Sequence, residues 1–156
     1  MKDIIKIATI LPYKENYTFS KAQAAAIWVC DFYKYSEFKN TNFIYGNTNG
    51  KDYLTKNYIN IKINNLKSKL SSSTIEYCKN FIEETKDSNF DIIEIHNRPL
   101  VFNYLKKNID AKFIIYFHND PLSMNGSRFV NERIKLLNEV SKIIFVSKWV
   151  QTRFFK

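Results

Sequence analysis

Short apolar runs rich in β-branched residues alternate along the chain with segments of helical periodicity. Apolar strands that alternate with helices are typical of a parallel sheet covered by helices on both faces. The sequence therefore predicts an α/β fold, a Rossmann-like parallel sheet of about six strands with helices on both faces. The predicted strands lie at residues 3–11, 42–47, 58–63, 92–95, 113–117 and 142–147. The predicted helices lie at residues 20–35, from residue 73 onward, at 101–108 and at 129–140.

Three of these helical segments carry further signals. Residues 20–35 are apolar nearly all round, which predicts a helix packed deep against the sheet. The stretch "STIE" at residues 73–76 has the spacing of a capping box, so it predicts the start of a helix. In the segment at 129–140 the apolar side chains of Val130, Ile134 and Leu137 fall on one line, as they do in an amphipathic helix.

The size of the chain suits one domain. With 156 residues, of which 45% are hydrophobic, it can fill a core of its own, so we expect residues 1–156 to form a single domain. No run approaches the ~18 apolar residues of a membrane span, and the apolar stretch at the N-terminus is too short for a signal peptide. We therefore expect a cytoplasmic protein. Cys30 and Cys78 lie in apolar helical contexts and match no metal or redox spacing, which predicts reduced core thiols.

The chain is basic, with 24 Lys and Arg against 15 Asp and Glu and a formal net charge of +9. Such a charge favours phosphate-bearing partners or an anionic membrane surface. A composition crowded with Lys, Asn, Ile, Tyr and Phe, as A/T-biased coding produces, explains the charge equally well. The sequence has no Walker A loop, no G-x-G-x-x-G, no histidine-rich metal set and no Ser or Cys triad. We therefore expect no cofactor and no metal.

A ten-residue pattern is written twice, as "DIIEIHNRPL" at residues 91–100 and "FIIYFHNDPL" at residues 113–122. Each copy has an apolar strand, then His-Asn, then a proline two residues on. Proline suits the first turn of a helix because it has no N–H to lose. Asn97 and Asp120 are predicted to cap the helices that follow.

Both histidines of the chain fall in this repeat. The carboxyl ends of the strands in an open parallel sheet form a ligand crevice. His96 and His118 are therefore predicted to point into that crevice from neighbouring strands. A lone histidine is more often structural, whereas two at equivalent positions favour a functional site.

Four features belong together: the order of the elements, the "HN" that ends the fourth strand, the "FHNDP" that ends the fifth and above all "SKIIFVSKWVQTRF" at residues 141–154. With these features the chain resembles the N-terminal domain of GT-B glycosyltransferases, in particular of family 4. The resemblance covers essentially the whole chain and is most specific over residues 91–154. It implies a retaining enzyme that transfers a sugar from a nucleotide sugar, commonly in lipopolysaccharide and capsular polysaccharide synthesis. Such enzymes have two Rossmann-like domains, the first mainly for the acceptor and the second for the donor. Residues 1–156 match the first, so we expect the C-terminal donor-binding domain to be absent from this chain.

The resemblance also implies roles for residues at the predicted crevice. His118 matches the position after the fifth strand where such enzymes often place a histidine close to the transferred sugar, so it is the expected catalytic residue. His96 and Asn97 match the neighbouring rim and are expected to contact the acceptor or to shape its pocket. The further polar candidates for substrate binding are Arg98, Asn119 and Asp120.

The loop after the first strand, "PYKENYTFSKAQA" at residues 12–24, matches the place where many members have a glycine-rich turn near the donor phosphates. The loop has no glycine, and close approach of the backbone to a phosphate is harder without one. Lys14, Ser20 or Lys21 would then have to contact the phosphate by side chain, or the contact is absent.

The implied partners are a nucleotide-sugar donor, bound together with the missing domain, and a glycan or lipid-linked acceptor. A lipid-linked acceptor would bring the protein into peripheral contact with an anionic membrane at its inner face.

The alternative is a non-catalytic basic α/β module that binds nucleic acid or a phosphorylated ligand. Tyr13, Tyr17, Phe19 and Tyr116 could stack bases, although such aromatics are more often core or pocket lining. The basic residues do not gather in one run and no RNA-binding signature occurs, so nucleic acid is the less favoured partner.

Overall fold

The computed structural model describes residues 4–63 and 72–156, which form an α/β layer structure. Its six strands are all parallel and follow the order β3-β2-β1-β4-β5-β6. This is the strand order of a Rossmann-like sheet, so the predicted fold class is confirmed. The elements are β1 (Ile7–Ile10), α1 (Ala24–Tyr35), β2 (Asn42–Gly46), β3 (Tyr58–Asn60), α2 (Ser73–Glu84), β4 (Ile92–His96), α3 (Pro99–Leu105), β5 (Lys112–Phe117), the 3-10 turn η1 (Pro121–Ser123), α4 (Val130–Glu139), β6 (Lys142–Phe145) and α5 (Lys148–Phe154).

Each face of the sheet has its own core, because successive strand residues point to opposite faces. On one face Ile10, Ile93 and Ile115 pack with buried residues of α2, α3, α4 and α5. On the other face Ile44 packs with Val29 of α1. The central strands β1 and β4 are rich in β-branched residues because the sheet is buried on both sides there.

The register of the sheet brings the two copies of the repeat together. β4 and β5 are hydrogen-bonded neighbours, and His96 lies opposite Tyr116. β1 lies on the other side of β4, with Ile10 opposite Ile95. The carboxyl ends of these three central strands therefore meet at one edge of the sheet, and the loops that follow them form its rim.

Helix α1 differs from its prediction. It begins at Ala24 rather than at residue 20, and it buries one side only. Ala26 and Val29 face the sheet, whereas Phe32 and Tyr35 are 51% and 90% exposed. The prediction of a deeply packed helix was wrong because, among the described residues, no second layer covers the outer side of α1.

The predicted helix starts are confirmed only in part. Ser73 is already the first helical residue of α2, so the capping box expected there does not form. One of the two bonds of a capping box, from the N-cap N–H to the side chain three residues on, occurs instead at the start of α4. There the Glu132 carboxylate accepts from the Phe129 N–H at 3.0 Å. Pro99 starts α3 as predicted, but Pro121 opens only a three-residue 3-10 turn.

The apolar line through Val130, Ile134 and Leu137 lies on α4, as predicted, but on its outer side. These side chains are 58%, 52% and 48% exposed. Arg133 and Leu136 form the buried side of the helix. The line therefore marks an apolar surface rather than a core contact.

The two cysteines, Cys30 and Cys78, are buried and unpaired, which confirms the prediction of reduced core thiols. Burial raises the pKa of the Cys78 thiol to about 12, so this group stays protonated at neutral pH. Over residues 4–63 and 72–156, no helix is both long enough and apolar enough to cross a membrane.

Candidate functional site

The two histidines of the repeat form a direct hydrogen bond at the carboxyl edge of the sheet. His96 is the last residue of β4, and His118 follows the last residue of β5. The Nδ1 atom of His96 lies 2.8 Å from Nε2 of His118, and the ring centroids are 5.1 Å apart. The predicted proximity of the two histidines is therefore confirmed.

The two rings differ in their exposure, which the repeat did not indicate. His96 is 1% exposed and stacks on the Tyr116 ring at a centroid distance of 4.5 Å. Trp28 of α1 contacts both histidine rings, with ring-centroid distances of 5.7 Å to His96 and 5.2 Å to His118. The prediction that His96 points into an open crevice was wrong, because Trp28 and Tyr116 enclose it. His118 is half-buried and is the member of the pair that reaches the rim.

Both histidines are neutral at pH 7. Burial, and then the neighbouring His118, hold the pKa of His96 well below its usual 6.5. Burial alone lowers the pKa of His118 to about 4. Two neutral rings share a single N–H in the hydrogen bond between them. A neutral imidazole can both donate and accept a hydrogen bond, so His118 is suited to a polar, uncharged partner.

One ring nitrogen of His118 is open to a ligand. Its Nε2 is bonded to His96, whereas Nδ1 has no hydrogen-bond partner among the described residues. Nε2 of His96 is both buried and unpaired, whereas solvent reaches the unpaired Nδ1 of His118. The pair therefore has a buried anchor and an accessible donor or acceptor at the rim.

Asn97 fixes the position of His118 rather than capping a helix. Its backbone has a left-handed φ of 52°, which is uncommon for a residue other than glycine. The side-chain oxygen accepts from the backbone N–H groups of His118 at 2.7 Å and Asn119 at 3.2 Å. The predicted cap of α3 was wrong, since Arg98 is the N-cap and makes no side-chain cap bond. Asn97 is buried and its side-chain oxygen already accepts two hydrogen bonds, so it holds the backbone of His118 and Asn119 in place rather than contacting a ligand.

Asp120 is occupied by another part of the chain. It caps η1 by accepting from the Leu122 N–H at 3.0 Å, as predicted. Its carboxylate also accepts from Arg153 of α5, from Nη2 at 2.8 Å and from Nε at 3.1 Å. The hydrogen bond from Arg153 is the main cause that lowers the pKa of Asp120. A substrate would have to compete with this ion pair, and no pattern in the sequence pointed to Arg153.

A buried polar network lies beneath the histidine pair, on the same face of the sheet. The Glu94 carboxyl contacts the Thr9 hydroxyl at 2.8 Å and the Tyr116 hydroxyl at 3.0 Å, and Thr9 also contacts the side-chain oxygen of Asn42 at 2.9 Å. Thr9 has one hydroxyl hydrogen for two oxygen partners, so a protonated Glu94 would satisfy all three contacts. Burial raises the pKa of Glu94, which favours that protonated form.

The loop between β1 and α1 supplies its own anion to the helix. The Glu15 carboxylate accepts from the backbone N–H groups of Ala25 at 3.1 Å and Ala26 at 3.2 Å, in the first turn of α1. Such amides bind phosphate in many Rossmann-like sheets, but here they are already paired. Ser20 is exposed; its hydroxyl lies 3.5 Å from the Thr18 hydroxyl, and its backbone N–H donates to Asp52 at 3.1 Å. Lys14 lines an open pocket, and its left-handed φ of 66° gives this loop the turn that a glycine would otherwise make.

Two open pockets lie among the loops at the carboxyl edge of the sheet, and neither His96 nor His118 lines them. The first, which we call the polar cleft, has a volume of about 700 Å³ and no acidic side chain in its lining. Reciprocal bonds between Thr48 and Asn60, at 2.9 and 3.0 Å, fix one of its walls. The sequence did not single out its amide residues because asparagine is common throughout the chain. The cleft is lined by Tyr13, Lys14, Asn16, Asn47, Thr48, Asn49, Asn60, Lys62 and Ile63.

The second pocket, which we call the arginine pocket, has a volume of about 310 Å³ and contains two of the predicted residues, Arg98 and Asn119. Its lining is completed by Thr74, Leu100, Ser123, Met124, Asn125 and Arg128. Across the described part of the chain, no three His, Cys, Asp or Glu side chains are grouped so that they could hold a metal ion.

No family model matches the chain, and no solved structure matches it. The chain is 34% identical over 70 residues to a Bacillus subtilis (strain 168) protein named "Putative glycosyltransferase YtcC". The matched segment covers 44% of this chain and 17% of that protein. The chain thus spans less than one fifth of the length of this relative.

Proposed function

We propose that this chain is the acceptor-side domain of a glycosyltransferase and that His118 contacts the reacting sugar. The observation that carries the proposal is the neutral His118 ring, held at the carboxyl edge of the sheet by His96 and Asn97 and open to solvent at Nδ1. The six-stranded parallel sheet and the partial similarity to a protein named as a glycosyltransferase support a glycosyltransferase-like domain.

In its finer form the proposal is a retaining GT-B enzyme of the family 4 type, which uses a nucleotide sugar in the synthesis of a surface polysaccharide. Departure of a nucleoside diphosphate develops positive charge on the sugar and negative charge on the phosphate. A neutral histidine can orient a sugar hydroxyl near that centre without adding positive charge to it. The groups that stabilise the leaving diphosphate would lie in a second, donor-binding domain, because the first-turn amides of α1 are already bonded to Glu15.

The polar cleft is the proposed acceptor site. It is open, rich in side-chain amides and lies at the same edge of the sheet as His118. Amides both donate and accept hydrogen bonds, as the hydroxyl groups of a glycan require. Tyr13 adds an aromatic surface on which a sugar ring can pack. Lys14 and Lys62 would interact with a charged group at the entrance of the cleft.

The outer side of α4 favours a lipid-linked acceptor. Phe129, Val130, Ile134 and Leu137 are all exposed there, and Lys135 lies among them. An exposed apolar helix side that carries a basic residue suits peripheral contact with an anionic membrane. The proposal therefore keeps a cytoplasmic location, at the inner face of the membrane.

The alternative, a nucleic-acid module, loses part of its support in the structure. Tyr17 and Tyr116 are 0% and 4% exposed, so they belong to the core and cannot stack on bases. Of the four aromatic candidates, Phe19 is exposed and Tyr13 lines the polar cleft.

Ligand binding by the 156-residue chain tests the proposal. Saturation-transfer NMR should detect neutral oligosaccharides at the carboxyl edge, with affinity about tenfold lower in His118→Ala for the loss of one hydrogen bond. Tyr35→Ala is the matched control, because Tyr35 is exposed at the far end of α1. Absence of glycan binding, combined with oligonucleotide binding that falls steeply with salt, would favour the nucleic-acid alternative instead.

A further inference from the structure

The arginine pocket contains two guanidinium groups and no acidic side chain. Within residues 4–63 and 72–156, neither Arg98 nor Arg128 takes part in an ion pair. Arg98 gives one N–H to the carbonyl of Asn97 at 2.9 Å, which leaves most of its donors free. Two cations on one small pocket repel each other unless an anion lies between them. The lining therefore has the charge of an anion site.

The loop that carries Arg128 is held in place. Gly126 has a φ of 93°, and a Cβ atom there would lie 2.8 Å from the backbone nitrogen of Leu100, so the loop rests directly on the start of α3. The buried Arg133 donates from Nη1 to the carbonyls of Ser127 at 3.1 Å and Arg128 at 2.8 Å. The backbone under Arg128 is thus fixed before a ligand arrives, which lowers the entropy lost on binding.

The chemistry of the lining selects the kind of anion. Guanidinium groups bind phosphate and carboxylate through paired N–H donors. The Ser123 hydroxyl already donates to the carbonyl of Asp120 at 2.7 Å. Asn119 and Asn125 add neutral hydrogen-bond donors, and no aromatic side chain is present on which a base could stack. A small oxyanion fits this lining better than a nucleobase does.

The pocket adjoins the proposed reacting centre. Asn119 lines it, and the backbone N–H groups of Asn119 and His118 are bonded to the same Asn97 oxygen, at 3.2 and 2.7 Å. We propose that the arginine pocket binds a phosphate or carboxylate group of the acceptor, with Arg98 and Arg128 as its ligands. This inference rests on the proposed function, and it adds that the acceptor is anionic close to the atom that receives the sugar.

The test is calorimetric and NMR titration of the 156-residue chain with inorganic phosphate, glucose 1-phosphate, glucuronate and glucose. The anionic probes should shift the backbone amides of Asn119 and Asn125, and glucose should not. Arg98→Gln and Arg128→Gln should each weaken the anionic probes about tenfold, since a charged hydrogen bond is lost. Glucose 1-phosphate and glucuronate distinguish phosphate from carboxylate.

Lys107→Gln is the matched control, because it removes one exposed positive charge beyond the C-terminal end of α3. An equal loss in Lys107→Gln, or amide shifts that map elsewhere, would overturn the site. Arg98→Lys keeps the charge but loses the paired geometry, so it should bind with intermediate affinity. If the proposed function fails and the anion site holds, inorganic phosphate binds at the arginines as well as glucose 1-phosphate does, and neutral oligosaccharides do not bind. If the anion site fails, sugars bind with no dependence on their charge or on either arginine.

Discussion

The Nδ1 atom of His96 and the Nε2 atom of His118 lie 2.8 Å apart, across two adjacent parallel strands. The repeat brings the two histidines into contact because equivalent ends of neighbouring strands meet at one edge of the sheet. The two histidines then have different roles. The enclosed His96 orients the ring of His118, and His118 presents its unpaired Nδ1 at the rim.

Removal of His118 should affect activity far more than folding. In an enzyme that contains this domain, His118→Ala should lower kcat by about 10²- to 10⁴-fold, the usual range for a positioned catalytic group. His96→Ala should instead lower the free energy of unfolding by about 2–4 kcal/mol, because it empties a buried site under Trp28. Turnover assays and urea unfolding of both variants check this pair. An unchanged kcat with lost stability in His118→Ala would show that the histidine is structural.

The stability of the domain should fall as the pH is lowered. The folded protein holds the pKa of His118 at about 4, and that of His96 well below 6.5. Since the unfolded chain binds protons more readily, stability is lost from pH 6.5 downward, by at most about 1.4 kcal/mol per pH unit for each histidine. His118 contributes less than His96 to this loss of stability because its ring is partly exposed. In urea unfolding at pH 7.5, 6.5 and 5.5, the free energy of unfolding should depend less steeply on pH in His118→Gln. An unchanged slope would contradict the lowered pKa of His118.

The sheet could be predicted from the sequence because its strands are buried on both faces. The central strands β1 and β4 are rich in β-branched residues for this reason, and all six strands were found at the predicted places. The meeting of His96 with His118 followed from the same reasoning, since both histidines end equivalent strands.

The sequence could not predict contacts that depend on distant side chains. Trp28 contacts both histidine rings, and it lies on α1, far from the repeat in sequence. Arg153 reaches Asp120 across 33 residues without any repeated spacing. The exposed line on α4 had the pattern of a core-facing stripe, and periodicity gives the pattern but not the side on which the sheet lies.

Replacement of Glu94 by glutamine should stabilise the protein at neutral pH. Burial raises the pKa of this carboxyl, so the stability that its protonated form supplies is present below its unfolded pKa of about 4.5 and is lost as the pH rises through the folded value. Glutamine keeps the shape and can still bond to Thr9 and Tyr116, but it never has to carry a buried charge. We expect the free energy of unfolding to rise by about 1 kcal/mol at pH 7 and to change little at pH 4. A loss of stability at pH 7 would indicate a charged Glu94 held by its hydrogen bonds.

The outer side of α4 should bind anionic membranes. The chain should sediment with vesicles that contain anionic lipid, through the exposed apolar line and through Lys135, since a basic residue is worth about 1 kcal/mol near the surface. A double change, Ile134→Ser with Leu137→Ser, should reduce the sedimented fraction, whereas Phe38→Ser, at an exposed site before β2, should not. Equal sedimentation with neutral and anionic vesicles would exclude the electrostatic part of this prediction.

Glu15 should stabilise α1 and exclude phosphate from its first turn. Because the Glu15 carboxylate accepts from the N–H groups of Ala25 and Ala26, Glu15→Ala should lower the free energy of unfolding by about 1 kcal/mol, as loss of a helix cap does. The two amides would then be free to bind an anion. Phosphate titration followed by NMR, in a background that carries Arg98→Gln and Arg128→Gln, should show shifts at Ala25 and Ala26 only when Glu15 is replaced. The control is Glu37→Ala, which removes an exposed carboxylate next to the C-terminal end of the same helix. Phosphate shifts at these two amides with Glu15 intact would mean that the carboxylate yields to a donor phosphate, and the loop would then regain the role that the resemblance implies.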